Sequence, residues 1–257
     1  MSSRHEILRE LGLLPLWRLR AEFAEIHEAR TEVAPYVAEG VPAPDAAALR
    51  DSSEPRPERM QRIAALEWRD FAADVAACTA CGLCRTRNKP VPGVGDVRAE
   101  WLFIGEAPGA EEDAKGEPFV GQAGRLLDNM LAALGMRRGE NVYIANVLKC
   151  RPPGNRTPTP LEAESCRPYL DRQIALIRPK MIVALGKSAA TTLLNVDATI
   201  ASLRGRVHRY QGVPLVVTYH PAYLLRNLPD KAKAWEDLCL ARTTLRRLPA
   251  SGQPALL

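Results

Sequence analysis

Aromatic residues are scarce in this sequence, and long apolar runs are missing from it. Only 5% of its 257 residues are Phe, Trp or Tyr, so an aromatic side chain inside a motif is informative. No apolar run approaches the ~20 residues that a membrane-spanning helix needs, and we expect no membrane association. The first residues lack the continuous apolar segment and cleavage site of a signal peptide, which predicts a cytoplasmic protein.

Charge and cysteine content narrow the class further. Lys and Arg number 35 against 30 Asp and Glu, a net charge of +5, which is compatible with a polyanionic partner but does not require one. Six cysteines are too few for a disulfide scaffold in a chain of this length. Three of them lie in CTACGLC at 78–84, and two lie within the segment 149–166. In a cytosolic protein this spacing indicates a metal or redox site.

The sequence predicts four segments. Residues 1–33 read as a helical extension of unknown role, which either docks an unknown protein partner or packs on the main domain. Residues 34–59 are rich in Pro, Ala and acidic residues and read as a flexible linker. The main domain spans 60–247, and 248–257 is a disordered tail.

Short apolar runs alternate with helical stretches in the main domain, which predicts a parallel sheet covered by helices on both faces. The predicted strands are 101–105, 142–148, 181–186 and 214–220, and the predicted helices are about 121–135, 160–177, 187–195 and 230–247. Ligand sites in such sheets lie beyond the carboxyl ends of the strands. The residues that follow each strand are therefore the first candidates for a site.

Unusual residues follow three of these strands. The segment 105–124, GEAPGAEEDAKGEPFVGQAG, is rich in glycine but lacks both a phosphate-binding P-loop and a dinucleotide fingerprint. Asn146 interrupts the second apolar run, and His220 begins HPAYLLRN, where apolar residues beside a cation suit a wedge between DNA bases. Each feature also has a structural interpretation: an Asn that bonds a nearby loop, a structural His, or packing within a turn.

Together and in this order, the motifs resemble those of the family-4 uracil-DNA glycosylases, which carry a 4Fe-4S cluster. The likeness rests on Cys78-x-x-Cys81, GEAPG, GEPFVG, NVLKCRPP, Cys166 and HPAYLLRN, and it covers roughly residues 70–245. It implies a three-layer α/β/α sandwich around a four-stranded parallel sheet. It also implies a monomeric, monofunctional enzyme that flips uracil out of single- or double-stranded DNA and hydrolyses the N-glycosidic bond.

The resemblance assigns roles to residues of the glycine-rich loop and of the strand ends. Phe119 would stack on the flipped uracil, and Asn146 would pair with its N3–H and O4. His220 would donate a hydrogen bond to O2 as negative charge develops on the leaving base. Glu112 lies near the position that must exclude the methyl group of thymine.

The same loop raises a question about the rate of reaction. Backbone amides around Glu106 and Ala107 would add hydrogen-bond donors to the site. The most active glycosylases of this fold keep an Asp where this chain has Ala107, so Glu106 is the only nearby candidate to position water. Because the transition state is largely dissociative, the loss of a strong base need not abolish activity.

Four cysteines match the cluster ligands of the family: Cys78, Cys81, Cys150 and Cys166. Spacing alone leaves structural zinc and an iron–sulfur cluster equally open, and the resemblance favours the cluster. Cys84 is taken as the spare cysteine of the first group. We expect the cluster to be structural.

Two segments are expected to contact DNA. The loop after Asn146 carries Lys149, Arg151, Asn155 and Arg156 and would lie beside phosphate. The wedge would be formed by Leu224, Leu225 and Arg226.

One alternative function is a non-catalytic protein that binds uracil-containing DNA or other nucleic acid through a four-cysteine metal site. An RNA-binding metal protein is a weaker alternative. Covalent capture of uracil-DNA is disfavoured, because the loop at 151–160 contains no His.

Overall fold

The computed structural model describes residues 54–248. The extension predicted at 1–33, most of the linker predicted at 34–59 and most of the predicted tail lie outside these residues. The first described helix begins at Arg56, ahead of the predicted domain start at residue 60.

The described residues form one six-stranded sheet with the order β1-β3-β2-β4-β6-β5. The strands are β1 (Val94–Gly95), β2 (Trp101–Gly105), β3 (Val142–Asn146), β4 (Met181–Leu185), β5 (Val207–Tyr210) and β6 (Val213–Thr218). The four inner strands are parallel, which confirms the predicted parallel sheet. The outer strands β1 and β5 pair antiparallel with their neighbours and extend the sheet beyond the four predicted strands.

Helices cover both faces of this sheet. They are α1 (Arg56–Ala64), α2 (Trp68–Ala77), α3 (Ala110–Lys115), α4 (Gln122–Ala133), α5 (Pro160–Ile177), α6 (Lys187–Leu194), α7 (Ile200–Leu203), α8 (Pro221–Leu224) and α9 (Asp230–Arg247). The four helices predicted from the sequence agree with α4, α5, α6 and α9. Within residues 54–248, no helix is long and apolar enough to span a bilayer.

Alternate side chains of the buried strands build two separate cores. On β2, Leu102 and Ile104 join a cluster with Leu170 of α5, while Phe103 joins a second cluster with Leu127 of α4 and Leu238 of α9. Successive strand residues point to opposite faces, so a fully apolar strand feeds both clusters. The result is the predicted α/β/α sandwich.

The two edge strands escaped prediction for physical reasons. β1 is only two residues long, and β5 reads VHRY, in which two residues are exposed. β5 and β6 are joined by a tight turn at Gln211 and Gly212, both with positive φ. Such a turn is the usual two-residue hairpin connection, and Gly212 was the available signal for it.

Candidate active site

The parallel strands deliver their last residues to one edge of the sheet. Gly105 of β2 pairs with Asn146 of β3 in the parallel register. The ladder continues past both strands, because Val147 N donates to Gly105 O at 2.9 Å and Leu148 N donates to Glu106 O at 3.0 Å. The glycine-rich loop and the segment after Asn146 therefore leave the sheet side by side.

Asn146 offers an unused acceptor at this edge. Its side chain is only 2% exposed, yet Oδ1 has no hydrogen-bond partner among the described residues. A buried amide oxygen without a partner costs about 1–3 kcal/mol, which a ligand with a matching donor would recover. This geometry favours the ligand-reading role of Asn146 over a structural one.

Gly105 makes room between Asn146 and Phe119. A Cβ at Gly105 would lie 2.4 Å from Asn146 Oδ1 and 2.7 Å from Phe119 Cζ, closer than side-chain atoms approach. The predicted reading amide and the predicted stacking ring thus converge on one residue that has no side chain. Phe119 itself is buried and has a φ of 55°, an unusual backbone conformation for a bulky residue.

Glu112 braces the loop that carries Phe119. Its carboxylate accepts hydrogen bonds from Gly109 N at 3.1 Å, Val120 N at 3.0 Å and Gly121 N at 3.2 Å. The side chain therefore ties the start of α3 to the residues that follow Phe119. Its predicted place near the thymine methyl group stays a prediction.

His220 is held as a neutral hydrogen-bond donor. Its Nδ1 accepts from Ala222 N at 3.1 Å, which leaves the ring proton on Nε2. Burial lowers the pKa of His220 to about 4, with Glu112 opposing this shift and Arg226 adding to it. The ring centroid lies 5.5 Å from that of Phe119, so the His is in the same site.

The loop after β4 completes the edge. Gly186 has a φ of 93°, and a Cβ there would lie 2.9 Å from the Cβ of His220, so this turn packs closely under the histidine. Ser188 follows, and its hydrogen bond to Glu106 opposes the rise that burial causes in the pKa of Glu106. Ser188 was missed from the sequence, although the Gly-Lys-Ser that follows a buried strand was a usable signal.

Glu106 and His220 both line a cleft of about 1160 Å³. Its other walls include Ser188 of α6, Thr157 and Arg56. Ala107, in contrast, packs against the apolar cluster of Leu83, Leu148 and Cys150. A chain bound in the cleft can therefore reach Glu106 and His220 from one side.

Five of the six cysteines surround a single small cavity: Cys78, Cys81, Cys84, Cys150 and Cys166. All six are free thiols, and the four predicted ligands are among the five. Burial raises the pKa of Cys81 to about 11 and that of Cys166 to about 12. The cavity is therefore lined by thiols, and their burial favours the protonated form.

Hydrogen-bond donors surround the sulfur atoms. Arg59 Nη2 lies 3.5 Å from Cys78 Sγ, and Arg87 Nη1 donates to Cys150 Sγ at 3.0 Å. The backbone N of Lys149 donates to Cys166 Sγ at 3.3 Å. These donors, two of them cationic, are the environment expected around thiolate ligands.

Lys149 does not reach solvent, contrary to the prediction that it lies beside DNA phosphate. The residue is 1% exposed, and Nζ donates to Asn146 O at 2.8 Å and to the side-chain oxygen of Gln173. Burial lowers the pKa of Lys149 to about 8. Lys149 instead links the end of β3 to α5, next to two of the cysteines.

The predicted wedge divides into a buried and an exposed residue. Leu224 is 1% exposed and packs with Tyr219 and Ala234, so its prediction as a DNA contact is corrected. Leu225 is 41% exposed. The cause is the short helix α8, which turns Leu224 inward and leaves Leu225 as its C-cap.

Two of the arginines predicted to contact DNA, Arg151 and Arg156, lie in the loop after β3. Arg151 Nε donates to Asn155 Oδ1 at 2.7 Å. Arg156 pairs with both carboxylate oxygens of Glu162, at 2.8 and 2.6 Å, and remains partly exposed. These hydrogen bonds hold the loop in place, and its two arginines remain partly exposed to solvent.

This sheet and its carboxyl-edge site define a member of a known superfamily, since a model of the uracil DNA glycosylase superfamily matches residues 92–239. The chain is 49% identical over 164 residues to a type-4 uracil-DNA glycosylase of Archaeoglobus fulgidus, covering 61% of this chain and 82% of that protein. A type-4 enzyme of Pyrobaculum aerophilum is 44% identical over 171 residues, covering 63% and 87%. One of Thermotoga maritima is 43% identical over 177 residues, covering 67% and 92%. The chain belongs to the type-4 uracil-DNA glycosylases.

Proposed function

We propose that this protein removes uracil from DNA by hydrolysing the N-glycosidic bond, which leaves an abasic site. The observation that carries the proposal is the unpartnered Oδ1 of Asn146, buried beside Phe119 above Gly105. Membership in the type-4 glycosylases supports the same activity. A base in a duplex stack is out of reach of this edge, so the uracil must be flipped into it.

Asn146 would read the base by its hydrogen-bond pattern. Uracil presents a donor at N3 and an acceptor at O4, which match the carbonyl and NH2 of the amide. Cytosine presents an acceptor at N3 and a donor at N4, so it would leave the buried Oδ1 facing an acceptor. Phe119 would stack on the flipped ring and hold it against the amide.

His220 would stabilise the leaving base. As the glycosidic bond breaks, negative charge grows on uracil O2, and a donor fixed beforehand lowers the barrier. Because Nδ1 of His220 accepts from Ala222 N, the donor is Nε2–H of a neutral ring. Backbone amides of Glu106 and Ala107 are further candidate donors.

Glu106 would position the attacking water. It lines the cleft together with His220, and burial raises its pKa. Ala107 offers no acceptor, so Glu106 acts without help from an Asp at the next position. We therefore expect a slower enzyme than glycosylases that have that Asp.

We propose that the cysteine site holds a 4Fe-4S cluster rather than zinc. Among residues 54–248, no three Cys, His, Asp or Glu side chains lie close enough together to hold one metal ion. Zinc draws four ligands to one ion, whereas a four-iron cluster takes one thiolate at each iron and leaves the sulfurs farther apart. Cys78, Cys81, Cys150 and Cys166 would hold the cluster, which supplies a structural link between α2, the loop after β3 and α5.

DNA would be bound through the exposed groups around the site. Leu225 would enter the gap that the flipped base leaves, with Arg226 beside it, and Arg151 and Arg156 would contact phosphate. Both single- and double-stranded DNA are proposed substrates.

A binding protein without turnover is the second candidate, favoured only by the alanine at position 107. The two functions are separated by incubating the purified protein with single- and double-stranded DNA that contains one uracil. The glycosylase yields alkali-labile sites and free uracil. Tight binding without either product would overturn the proposal in favour of a uracil-DNA binding protein.

A further inference from the structure

We propose that Arg138, which lies outside the base pocket, is a positioning residue that holds Phe119 in its stacking orientation. The inference rests on the proposed function, since it assigns a task to Phe119 in uracil excision. It adds a residue that neither the sequence motifs nor the strand ends indicate.

The unusual backbone conformation at Phe119 needs contacts from other residues to keep it in place. Its φ of 55° lies in the left-handed region, which a bulky side chain rarely adopts. Among residues 54–248, the other non-glycine residues with positive φ are three asparagines together with Arg178, at a helix end, and Gln211, in a hairpin turn. Phe119 is the only aromatic residue among them within residues 54–248, and it belongs to the candidate site.

Arg138 donates hydrogen bonds to the backbone carbonyls of Pro118 and Phe119. Its Nη1 donates to Pro118 O and its Nη2 donates to Phe119 O, both at 2.8 Å. The planar guanidinium presents two donors in a fixed fork, which sets the direction of two successive carbonyls. Asp128 Oδ1 in turn holds Arg138, at 3.1 Å from Nε and 3.0 Å from Nη2.

The backbone amides that follow Phe119 and the position of its carbonyl are also fixed by contacts. Glu112 accepts from Val120 N and Gly121 N, the two donors that follow Phe119. A Cβ at Gly124 would lie 1.7 Å from Phe119 O, so this carbonyl rests directly on the first turn of α4. The peptide after Phe119 is therefore held by the guanidinium of Arg138 on one side and the carboxylate of Glu112 on the other. The ring of Phe119 is directed at Gly105 and His220.

Removal of the Arg138 fork would free two carbonyls and let the ring move from its place above Gly105. Misplacement of a positioning group by about 1 Å can cost on the order of 100-fold in rate, and we expect a 10- to 100-fold loss in single-turnover uracil release for R138A. Binding to DNA that carries a tetrahydrofuran abasic-site analogue should change less than about twofold, because that DNA has no base to stack.

The test is a double-mutant cycle of R138A with F119A, measured by single-turnover uracil release. The matched control is R137A, because Arg137 is the chain neighbour, is 75% exposed and forms a surface ion pair with Glu140. We expect R137A to match the wild type and R138A to lose its effect once Phe119 is absent.

The outcomes separate the inference from the proposed function. A wild-type protein that releases no uracil overturns the function itself. An active wild type overturns the inference if R138A is equally active, if it weakens abasic-analogue binding as much as excision, or if it costs the same in the F119A background. If R138A does not fold, D128A takes its place in the cycle, since it keeps Arg138 but removes the oxygen that accepts from Nε and Nη2, and the same three results decide.

Discussion

The base pocket and the cysteine site both include residues just past the end of β3, yet their side chains are held in different ways. In the base pocket, backbone amides donate to His220 and Glu112, while the buried Oδ1 of Asn146 has no partner among the described residues. In the cysteine site, burial raises the pKa values of Cys81, Cys150 and Cys166, and Arg87 donates to the sulfur of Cys150. The side chains of the pocket are thus held by the protein itself, whereas the role proposed for the cysteines also needs a cluster.

The largest expected effect comes from the open acceptor of the base pocket. Asn146→Ala removes both the Oδ1 acceptor and the NH2 that would donate to uracil O4, and we expect uracil release to fall by on the order of 100- to 1000-fold, as for the loss of an oxyanion-hole donor. The melting temperature should stay near that of the wild type, because Oδ1 has no partner to lose. Single-turnover excision and a thermal melt check this, and full activity would contradict the base-reading role.

A substitution in the cysteine site should have the opposite effect and reduce the stability of the protein first. Cys150→Ser should abolish the visible absorbance of the purified protein and lower its melting temperature, since a missing ligand weakens the link between the segments. Cys84→Ser is the matched control from the same cavity and should keep both. Loss of the absorbance in C84S would show that the spare cysteine has been wrongly chosen.

The neutral His220 predicts a pH dependence of stability. Its pKa is about 4 in the folded protein and about 6.5 when unfolded, so between these values the unfolded chain binds more protons. The contribution of His220 to stability is therefore full above about pH 6.5 and is lost as the pH falls toward 4. Denaturant unfolding from pH 4 to 8 checks this, and His220→Gln should show a shallower fall over that window. An equal fall in both proteins would contradict the neutral assignment.

The smallest expected effect concerns the exposed leucine. Leu225→Ala should reduce excision from double-stranded DNA several-fold and leave single-stranded DNA unaffected, because only a duplex has a gap to fill. Leu228→Ala is the control, since Leu228 is 59% exposed on the same segment. Equal losses on both DNA forms would argue against a wedge.

Much of the fold and part of the site can be predicted from the sequence because both follow from local patterns. The four apolar runs specify parallel strands, and strand ends bring Asn146, Phe119 and His220 to one edge. The features that could not be predicted depend on partners that are distant in the sequence. Lys149 is buried by Gln173, which is 24 residues away, and a charged residue beside a cysteine gives no sign of this. Arg138 acts on backbone carbonyls, which carry no signature in the sequence at all.

Gly105 has a consequence for how this site can vary. The addition of one methyl group there would bring carbon to 2.4 Å from the amide oxygen of Asn146 and 2.7 Å from the ring of Phe119. The position is therefore closed to every larger amino acid while both neighbours stay in place. The proposed reading of the base therefore depends on the missing side chain at this position, and Gly105→Ala would place a methyl group against both the amide of Asn146 and the ring of Phe119.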